Sequence, residues 1–229
     1  MAEQLASRLE EILKSRGAAL WGFADVAGLP PGNLGHFPRA VSFAFAMEPT
    51  VMAGLKNGPT REYTLLYQET NARIDSLAGE LSEAIRAAGF VAKAIHSSFR
   101  SDPVNIRGDF PHKTAATRAG LGWIGRHCQL VSKQLGPWLR LGTVLCDAPL
   151  PLGRPVEKHR CGACRACVDA CPAGALTGGD WRPGVDRSVL LDAAKCDLYK
   201  KTHFKAFLGG HNCGICTAAC PVGQKLVKA

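Results

Sequence analysis

The sequence predicts an α+β fold, in which an α/β main domain at residues 1–150 precedes a cysteine-rich module at residues 151–229. In the main domain, short apolar segments alternate with amphipathic helical patterns, and this alternation is typical of mixed α/β architecture. Eight of the ten cysteines follow residue 160. A proline-rich, basic connector at residues 147–160 precedes this change of composition, and we take it as the domain boundary.

The first half of the main domain predicts two helices and two strands. Leucine and isoleucine recur at helical spacing in the N-terminal segment, and Gly17 ends that helix. Residues 18–24 and 40–47 are apolar and bounded by proline or glycine, which indicates buried strands. Residues 60–88 carry apolar side chains at every third or fourth position, so we expect a long amphipathic helix there.

The second half of the main domain predicts shorter elements. Residues 90–96 form an apolar strand pattern, and residues 112–119 form a short helix. Residues 129–131 and 140–145 flank a Gly-Pro turn, and we expect them to pair as a hairpin.

Composition places the protein among globular chains. It has 229 residues, of which 46% are hydrophobic and 21% are charged. No apolar run approaches the roughly 20 residues of a transmembrane helix, and the N-terminus lacks the apolar core of a signal peptide. We therefore expect a cytoplasmic protein without membrane association, where thiols stay reduced and clustered cysteines bind metal or perform chemistry.

The cysteine pattern predicts two iron–sulfur clusters. A C-x2-C-x2-C-x3-C-P run is typical of bacterial ferredoxins with two [4Fe–4S] clusters. A second run, C-x2-C-x3-C-P, lacks one cysteine, and Cys196 between the runs can supply it. The first run contains Cys161, Cys164, Cys167 and Cys171, and the second contains Cys213, Cys216 and Cys220.

In bacterial ferredoxins the cysteine before proline binds the other cluster, and this rule divides the eight ligands. Zinc is the main alternative, because two C-x2-C pairs also suit zinc ribbons, but zinc sites do not require the crossing Cys-Pro pattern. We interpret Cys128 and Cys146, outside both runs, as small buried hydrophobic residues. The rule assigns Cys161, Cys164, Cys167 and Cys220 to the first cluster, and Cys171, Cys196, Cys213 and Cys216 to the second.

The formal net charge is +9. One interpretation is an anionic partner such as a nucleic acid, a phosphate ligand or an acidic protein. The other is that the charge serves the protein's own cofactors. Since each cluster with its four thiolates carries −2, two clusters bring the total to about +5.

A glycine-rich segment, Ala119–Gly125, follows the predicted short helix. Its glycines satisfy the G-x-G-x-x-G string, but a dinucleotide loop follows a strand rather than a helix. We therefore favour a tight helix terminus packed under Trp123.

Five sequence blocks in a fixed order resemble the epoxyqueuosine reductase family. They are AGLGWIGRH, GPWLRLGTVLCDAPL, CGACRACVDACPAGAL, the lone cysteine in CDLY, and CGICTAACP, and the resemblance spans residues 35–223. It implies bound cobalamin beside the two [4Fe–4S] clusters, and a main domain similar to nitroreductase-like cobalamin carriers. It also implies kinship with reductive dehalogenases, an external donor such as ferredoxin or flavodoxin, and reduction of an epoxide on a modified tRNA base.

The resemblance also assigns roles to individual residues. By counting from Gly120, two cobalamin-contacting positions of the family fall on Leu130 and Leu141. Arg126 and His127 occupy a Lys-Asn or Lys-His pair of the family, and we expect them near the corrin amides or phosphate. His112 opens a helix where the family has its active site, which makes it a candidate for acid–base chemistry.

Two departures separate this chain from the family pattern. The family's catalytic aspartate falls on Ile106, so Asp109 becomes the candidate proton donor, with Asp102 as the alternative. The chain ends nine residues after Cys220, where the family member that acts on tRNA continues into a helical-repeat region. We therefore expect a shorter branch with the same cofactors and another substrate, either a small molecule or a modified nucleoside. An electron-transfer or corrinoid-handling protein, a tRNA-modifying enzyme, and a flavin instead of cobalamin remain as alternatives.

Overall fold

The computed structural model describes residues 2–29 and 34–227, and the chain divides into two compact units. Both units are discontinuous in sequence. The last change of unit, after Val156, lies close to the predicted boundary at residue 150, but two earlier segments also join the cysteine-rich unit. Unit 1 comprises Met1–Ala46, Thr70–Leu121 and Arg140–Val156, and unit 2 comprises Met47–Glu69, Gly122–Leu139 and Glu157–Ala229.

A four-stranded sheet organises unit 1. The elements are α1 (Ala2–Ser15), β1 (Leu20–Asp25), β2 (Arg39–Ala46), α3 (Arg61–Ala87, continuing from unit 2), β3 (Ala92–Ile95), α4 (His112–Arg118) and β6 (Leu139–Cys146). The strand order is β1-β2-β6-β3, and both the β1–β2 pair and the β3–β6 pair are antiparallel.

Helices cover both faces of this sheet. Strand residues such as Phe43 and Val144 pack with Leu9 of α1 and Leu81 of α3 on one face. Alternate strand residues face the opposite side of the sheet. Leu145, for example, packs there with Ala115 of α4. Because both faces are buried, the strands are almost continuously apolar, which is why apolar runs predicted them.

The helices and most strands of unit 1 confirm the sequence predictions within a few residues. Gly17 ends α1 with a φ of +75°, a left-handed conformation that glycine adopts readily. The predicted hairpin of residues 129–131 with 140–145 is wrong. Residues 130–131 pair with 123–124 instead, and β6 lies inside the large sheet because its residues are apolar on both faces.

Short elements and loops build unit 2. Trp138 is completely buried in its core and donates a hydrogen bond from Nε1 to the carbonyl oxygen of Thr217 at 3.0 Å. Gly136 is required beside it, because a Cβ there would lie 2.6 Å from the backbone nitrogen of Gly223. The elements are α2 (Pro49–Ala53), the start of α3, β4 (Trp123–Ile124), β5 (Leu130–Val131), α5 (Ala166–Asp169), α6 (Ala193–His203), α7 (Ile215–Ala218) and α8 (Pro221–Gln224).

Among the described residues, we find no helix that combines the length and the hydropathy needed to cross a bilayer.

Candidate metal centre

The eight cysteines of the predicted clusters all lie in unit 2, where they form two groups of interacting thiols. We call Cys161, Cys164, Cys167 and Cys220 the first cysteine group, and Cys171, Cys196, Cys213 and Cys216 the second cysteine group.

Mutual electrostatic effects define the first cysteine group. Burial raises the pKa of Cys167 to about 11, and the charges of Cys220, Cys161 and Cys164 contribute to the rise. Burial also raises the pKa of Cys220, with further contributions from Cys161 and Cys164. The crossing cysteine of the second run therefore lies beside the first three cysteines of the first run.

The second cysteine group is defined in the same way. Burial raises the pKa of Cys216, followed by the charges of Cys213, Cys196, Cys167 of the first cysteine group, and Cys171. Buried thiols this close to one another resist ionisation, and a bound metal reverses this because a coordinating thiol is deprotonated. The chemistry of the donor set therefore fits two four-thiolate clusters.

Tight turns bring the cysteines of each run together. The Cys164 N–H donates to the carbonyl oxygen of Cys161 at 3.0 Å, with Gly162 at a φ of +53° between them. In the second run, Gly214 precedes α7 with a φ of +93°, and a Cβ there would lie 2.4 Å from the Cδ1 atom of Leu55. The glycine after the first cysteine of each run is therefore part of the ligand loop.

A cavity of about 70 Å³ adjoins the second cysteine group, and all four of its cysteines line the wall. His127, Tyr199 and Ile215 are among the other lining residues. Pockets for drug-sized organic ligands measure roughly 300–1,000 Å³. The cavity therefore suits a compact inorganic cluster and is too small for a corrin ring.

A zinc site and an iron–sulfur cluster arrange their ligands differently. A zinc site holds four ligands within about 2.0–2.3 Å of a single ion, whereas a [4Fe–4S] cluster takes its four thiolates at separate irons. Across residues 2–29 and 34–227, no three His, Cys, Asp or Glu side chains are arranged as ligands of one metal ion.

A buried aspartate pairs with two lysines of α6, and one of these lysines links α6 to the segment before Cys213. Asp197, next to Cys196 on α6, lies 3.6 Å from the Nζ atom of Lys200 and 2.7 Å from that of Lys201. Lys200 also donates to the carbonyl oxygen of His211 at 3.1 Å, two residues before Cys213. Burial raises the pKa of Cys213, and the positive charge of Lys200 opposes that shift.

Arg126 and His127, predicted to lie near cobalamin, occupy the loop between β4 and β5, beside the cysteine groups. Arg126 donates to the carboxylate of Asp180 and to the carbonyl oxygen of Cys164. His127 is buried, accepts the Gln129 N–H at Nδ1 over 3.1 Å, and lines the cavity of the second cysteine group. Sequence reasoning missed these neighbours, because the partner Asp180 is 54 residues away.

The two leucines predicted to contact cobalamin lie in different units. Leu130 is buried on β5, opposite Ile124, in unit 2. Leu141 is partly buried on β6 in unit 1. Cobalamin contact by either side chain stays a prediction.

His112, in unit 1, has hydrogen-bond partners at both ring nitrogens. Its Nε2 donates to the carbonyl oxygen of His96 at 3.2 Å, and its Nδ1 accepts from the hydroxyl of Thr143 at 2.9 Å. Burial lowers the pKa of His112 to about 4. At neutral pH the ring is therefore neutral, and its acid–base role stays a prediction.

Asp102 and Asp109, in the loop before α4, differ in their hydrogen bonds and their surroundings. Asp102 accepts the N–H of Asn105 at 2.9 Å and its Nδ2 at 2.7 Å, so its carboxylate is committed to a turn. Those hydrogen bonds lower the pKa of Asp102. Ile106, at the position that the resemblance assigns to the family's aspartate, adopts a φ of +55°. Asp109 lies partly buried just before α4 and stays the predicted proton donor.

Comparison with known proteins identifies the cysteine-rich region. Residues 160–223 match the model of a 4Fe-4S double cluster binding domain. The chain is 31% identical over 214 residues to the epoxyqueuosine reductase of Pseudomonas aeruginosa, covering 85% of this chain and 53% of the relative. It is 34% identical over 116 residues to that of Aliivibrio fischeri, covering 46% of this chain and 29% of the relative.

Solved structures share the fold. A reductive dehalogenase described as B12-dependent matches 96% of this chain, and 33% of its own, with a TM-score of 0.73 and 22% identity. The epoxyqueuosine reductase of Streptococcus thermophilus matches 98% of this chain, and 67% of its own, with a TM-score of 0.62 and 18% identity.

The fold and the cysteine motifs thus define a protein with an α/β portion and a double [4Fe–4S] cluster domain, which confirms the predicted fold class. More particularly, the chain is similar to the epoxyqueuosine reductases, as the sequence blocks predicted. It spans about half the length, or less, of the curated relatives described above.

Proposed function

We propose that the protein is an iron–sulfur oxidoreductase in which each cysteine group holds one [4Fe–4S] cluster. The observation that carries the proposal is the proximity of eight cysteines, from three separate stretches of chain, whose charges act on one another's thiols within unit 2. Four thiolates per cluster is the usual ligation of this cofactor.

Exposure suggests the order in which electrons travel. Cys164 is the one exposed cysteine among the eight; Cys167 and Cys220 of the same group are buried, and the four cysteines of the second cysteine group are partly buried. We therefore assign the contact with an external donor, such as a ferredoxin or flavodoxin, to the first cluster. The second cluster then passes electrons to the acceptor.

Cobalamin is the acceptor that we propose. Support comes from the likeness to epoxyqueuosine reductases and to a reductive dehalogenase described as B12-dependent. Bound cobalamin supplies redox chemistry at its cobalt, while the protein supplies orientation and exclusion of water. Leu130 and Leu141 are the apolar side chains that the resemblance assigns to its contact.

We propose a reductive reaction on a small molecule or a modified nucleoside. Asp109 is the proposed proton donor, because Asp102 is committed to a turn and Ile106 cannot donate. An intact tRNA is the third substrate class, supported by the relatives' name and by the net charge of +9.

An electron-transfer or corrinoid-handling protein without its own substrate is the second candidate function. It is favoured by Ile106 at the position that the resemblance assigns to the family's aspartate. Turnover separates the two candidates. The chemically reduced, fully loaded protein should convert an epoxide or halide probe if it is an enzyme, and should only pass electrons to a corrinoid protein if it is not.

The first experiment is anaerobic reconstitution with iron, sulfide and cobalamin, followed by gel filtration, metal analysis and a visible spectrum. We expect eight irons, four for each cluster of the double-cluster domain, and one cobalt per chain. Eight irons without cobalt would contradict cobalamin binding and support the electron-transfer candidate. Stoichiometric zinc in place of iron would contradict the whole proposal.

The proton donor is tested with a matched pair of isosteric variants. Asp109→Asn should abolish turnover with the iron and cobalt contents unchanged, whereas Asp102→Asn should retain turnover. The reverse result would transfer the role to Asp102, and full activity of both variants would exclude both carboxylates. Absence of tRNA binding at low salt would exclude the tRNA substrate.

A further inference from the structure

Arg126 contacts the first cysteine group through a backbone atom. Its Nη1 donates to the carbonyl oxygen of Cys164 at 2.7 Å. Its Nε and Nη2 donate to Oδ1 of Asp180 at 3.0 and 2.8 Å. The planar guanidinium thus connects a carboxylate with the peptide of a proposed iron ligand, and such charge-assisted bonds are short and directional.

The Asp180 carboxylate is also linked to Cys161, through His159. Nε2 of His159 lies 3.3 Å from Oδ1 of Asp180, and Nδ1 of His159 accepts the N–H of Cys161 at 3.4 Å. Because Nδ1 accepts, Nε2 carries the proton and donates to Asp180. These hydrogen bonds form one chain, which we call the CxxC clamp. It runs from the Cys164 carbonyl through Arg126, Asp180 and His159 to the Cys161 N–H.

Burial and a rigid support make the clamp more than a surface ion pair. The Arg126 side chain is only 12% exposed and that of His159 only 19%, although Asp180 is 58% exposed. The hairpin that carries Arg126 is closely packed, because a Cβ on Gly122 would lie 2.2 Å from the carbonyl oxygen of Val131. The Arg160 guanidinium, beside His159, lies 5.8 Å from the centre of the Trp123 ring on the same hairpin.

We propose that Arg126 is a positioning residue for the first [4Fe–4S] cluster, which holds the Cys161–Cys164 turn in its iron-binding geometry through the CxxC clamp. The inference rests on the proposed binding of that cluster by the first cysteine group. Outer partners that orient metal ligands typically change metal affinity by 10- to 100-fold when they are removed. This role differs from the cobalamin contact that the sequence predicts for Arg126.

The test measures iron release from the anaerobically reconstituted protein in the presence of a chelator. Arg126→Gln should release the irons of the first cluster roughly 10-fold faster than the wild type, and leave the second cluster at its wild-type rate. Arg126→Lys should resemble Arg126→Gln, since an ammonium lacks the planar fork that spans both partners. Arg165→Gln is the matched control, because Arg165 adjoins Cys164 but is 54% exposed and pairs with Asp169 outside the clamp.

A second background identifies which cluster responds. In Cys196→Ala, which should retain only the first cluster, Arg126→Gln should accelerate release of all remaining iron. Asp180→Asn leaves Arg126 unchanged and should also accelerate iron release from the first cluster. This variant therefore tests the inference if the Arg126 variants fail to fold.

The outcomes separate this inference from the proposed function. If the reconstituted wild-type protein did not contain two clusters, the proposed function itself would be contradicted. Eight irons in the wild type, with wild-type release rates in Arg126→Gln and Asp180→Asn, would overturn the inference alone. Equal acceleration in Arg165→Gln would also overturn it, because loss of positive charge would then be sufficient.

Discussion

Cys167 of the first cysteine group and Cys216 of the second lie close enough that the charge of Cys167 contributes to the raised pKa of Cys216, after burial and nearer thiols. The two residues sit on α5 and α7, which pack against each other within unit 2. Two clusters held by these groups would therefore lie side by side within unit 2.

Replacing Cys196 should remove one cluster and leave the other. We expect Cys196→Ala to retain about four of the eight irons, because each cubane depends on its complete set of thiolates. Iron and sulfide analysis with the visible spectrum measures this. Cys146→Ala, which removes a buried cysteine outside both groups, should keep eight. Retention of all eight irons in Cys196→Ala would show that Cys196 is not a ligand.

The lysines of α6 should influence the second cluster according to their burial. Lys200 is 14% exposed and acts on Cys213, whereas Lys201 is 60% exposed. Removing a nearby cation disfavours the more negative, reduced cluster, so Lys200→Gln should lower its midpoint potential by on the order of 50 mV, about 1.2 kcal/mol for one electron. Lys201→Gln should have a smaller effect, because solvent screens its charge. Redox titration followed by EPR would contradict this account if the two variants shifted equally.

Two glycines of unit 1 should respond to alanine in opposite directions. A Cβ on Gly142 of β6 would lie 2.2 Å from the buried ring of Phe43, so Gly142→Ala should lower the free energy of unfolding by about 1–3 kcal/mol. Gly79 of α3 has no atom within 4 Å of such a Cβ, so Gly79→Ala should raise that free energy by about 0.5–1 kcal/mol. Urea unfolding measures both. A neutral Gly142→Ala would refute the packing of Phe43 against β6.

His112 should make stability depend on pH. Burial lowers its pKa to about 4, against about 6.5 in the unfolded chain, so the folded state disfavours the protonated ring. Its contribution to stability is complete above pH 6.5 and is lost as the pH falls from 6.5 toward 4, by up to about 1.4 kcal/mol per pH unit.

Urea unfolding between pH 7.5 and 5.5 measures this contribution. His112→Gln should flatten the decline relative to the wild type, whereas the control His36→Gln, at an exposed position, should leave it unchanged. Parallel pH profiles for His112→Gln and the wild type would contradict the buried, neutral imidazole.

Local patterns in the sequence predicted the elements that depend on local interactions. The spacing of apolar residues predicted α1 and α3, because a buried helix face repeats every three to four residues. The cysteine runs predicted the double-cluster domain, because ligand spacing is part of the motif. The position of β6 could not be predicted, since strand pairing depends on partners distant in sequence, such as Ala92 opposite Cys146.

The CxxC clamp was beyond sequence reasoning for the same physical reason. Arg126 acquires its role only when folding brings Asp180 and Cys164 to the loop between β4 and β5. No local pattern distinguishes this arginine from one on the surface. Residues 47–69 likewise join unit 2 through packing, as when Leu55 contacts Gly214 in the second cysteine run.

The most direct test of the two crossed cysteine groups is the iron content of two double variants after identical anaerobic reconstitution. Cys171→Ala with Cys196→Ala removes two ligands of one cluster, and we predict that about four irons remain. Cys196→Ala with Cys220→Ala removes one ligand from each cluster, and we predict that almost no iron remains. The opposite result would contradict the account, because it would mean that Cys220 and Cys196 bind the same cluster.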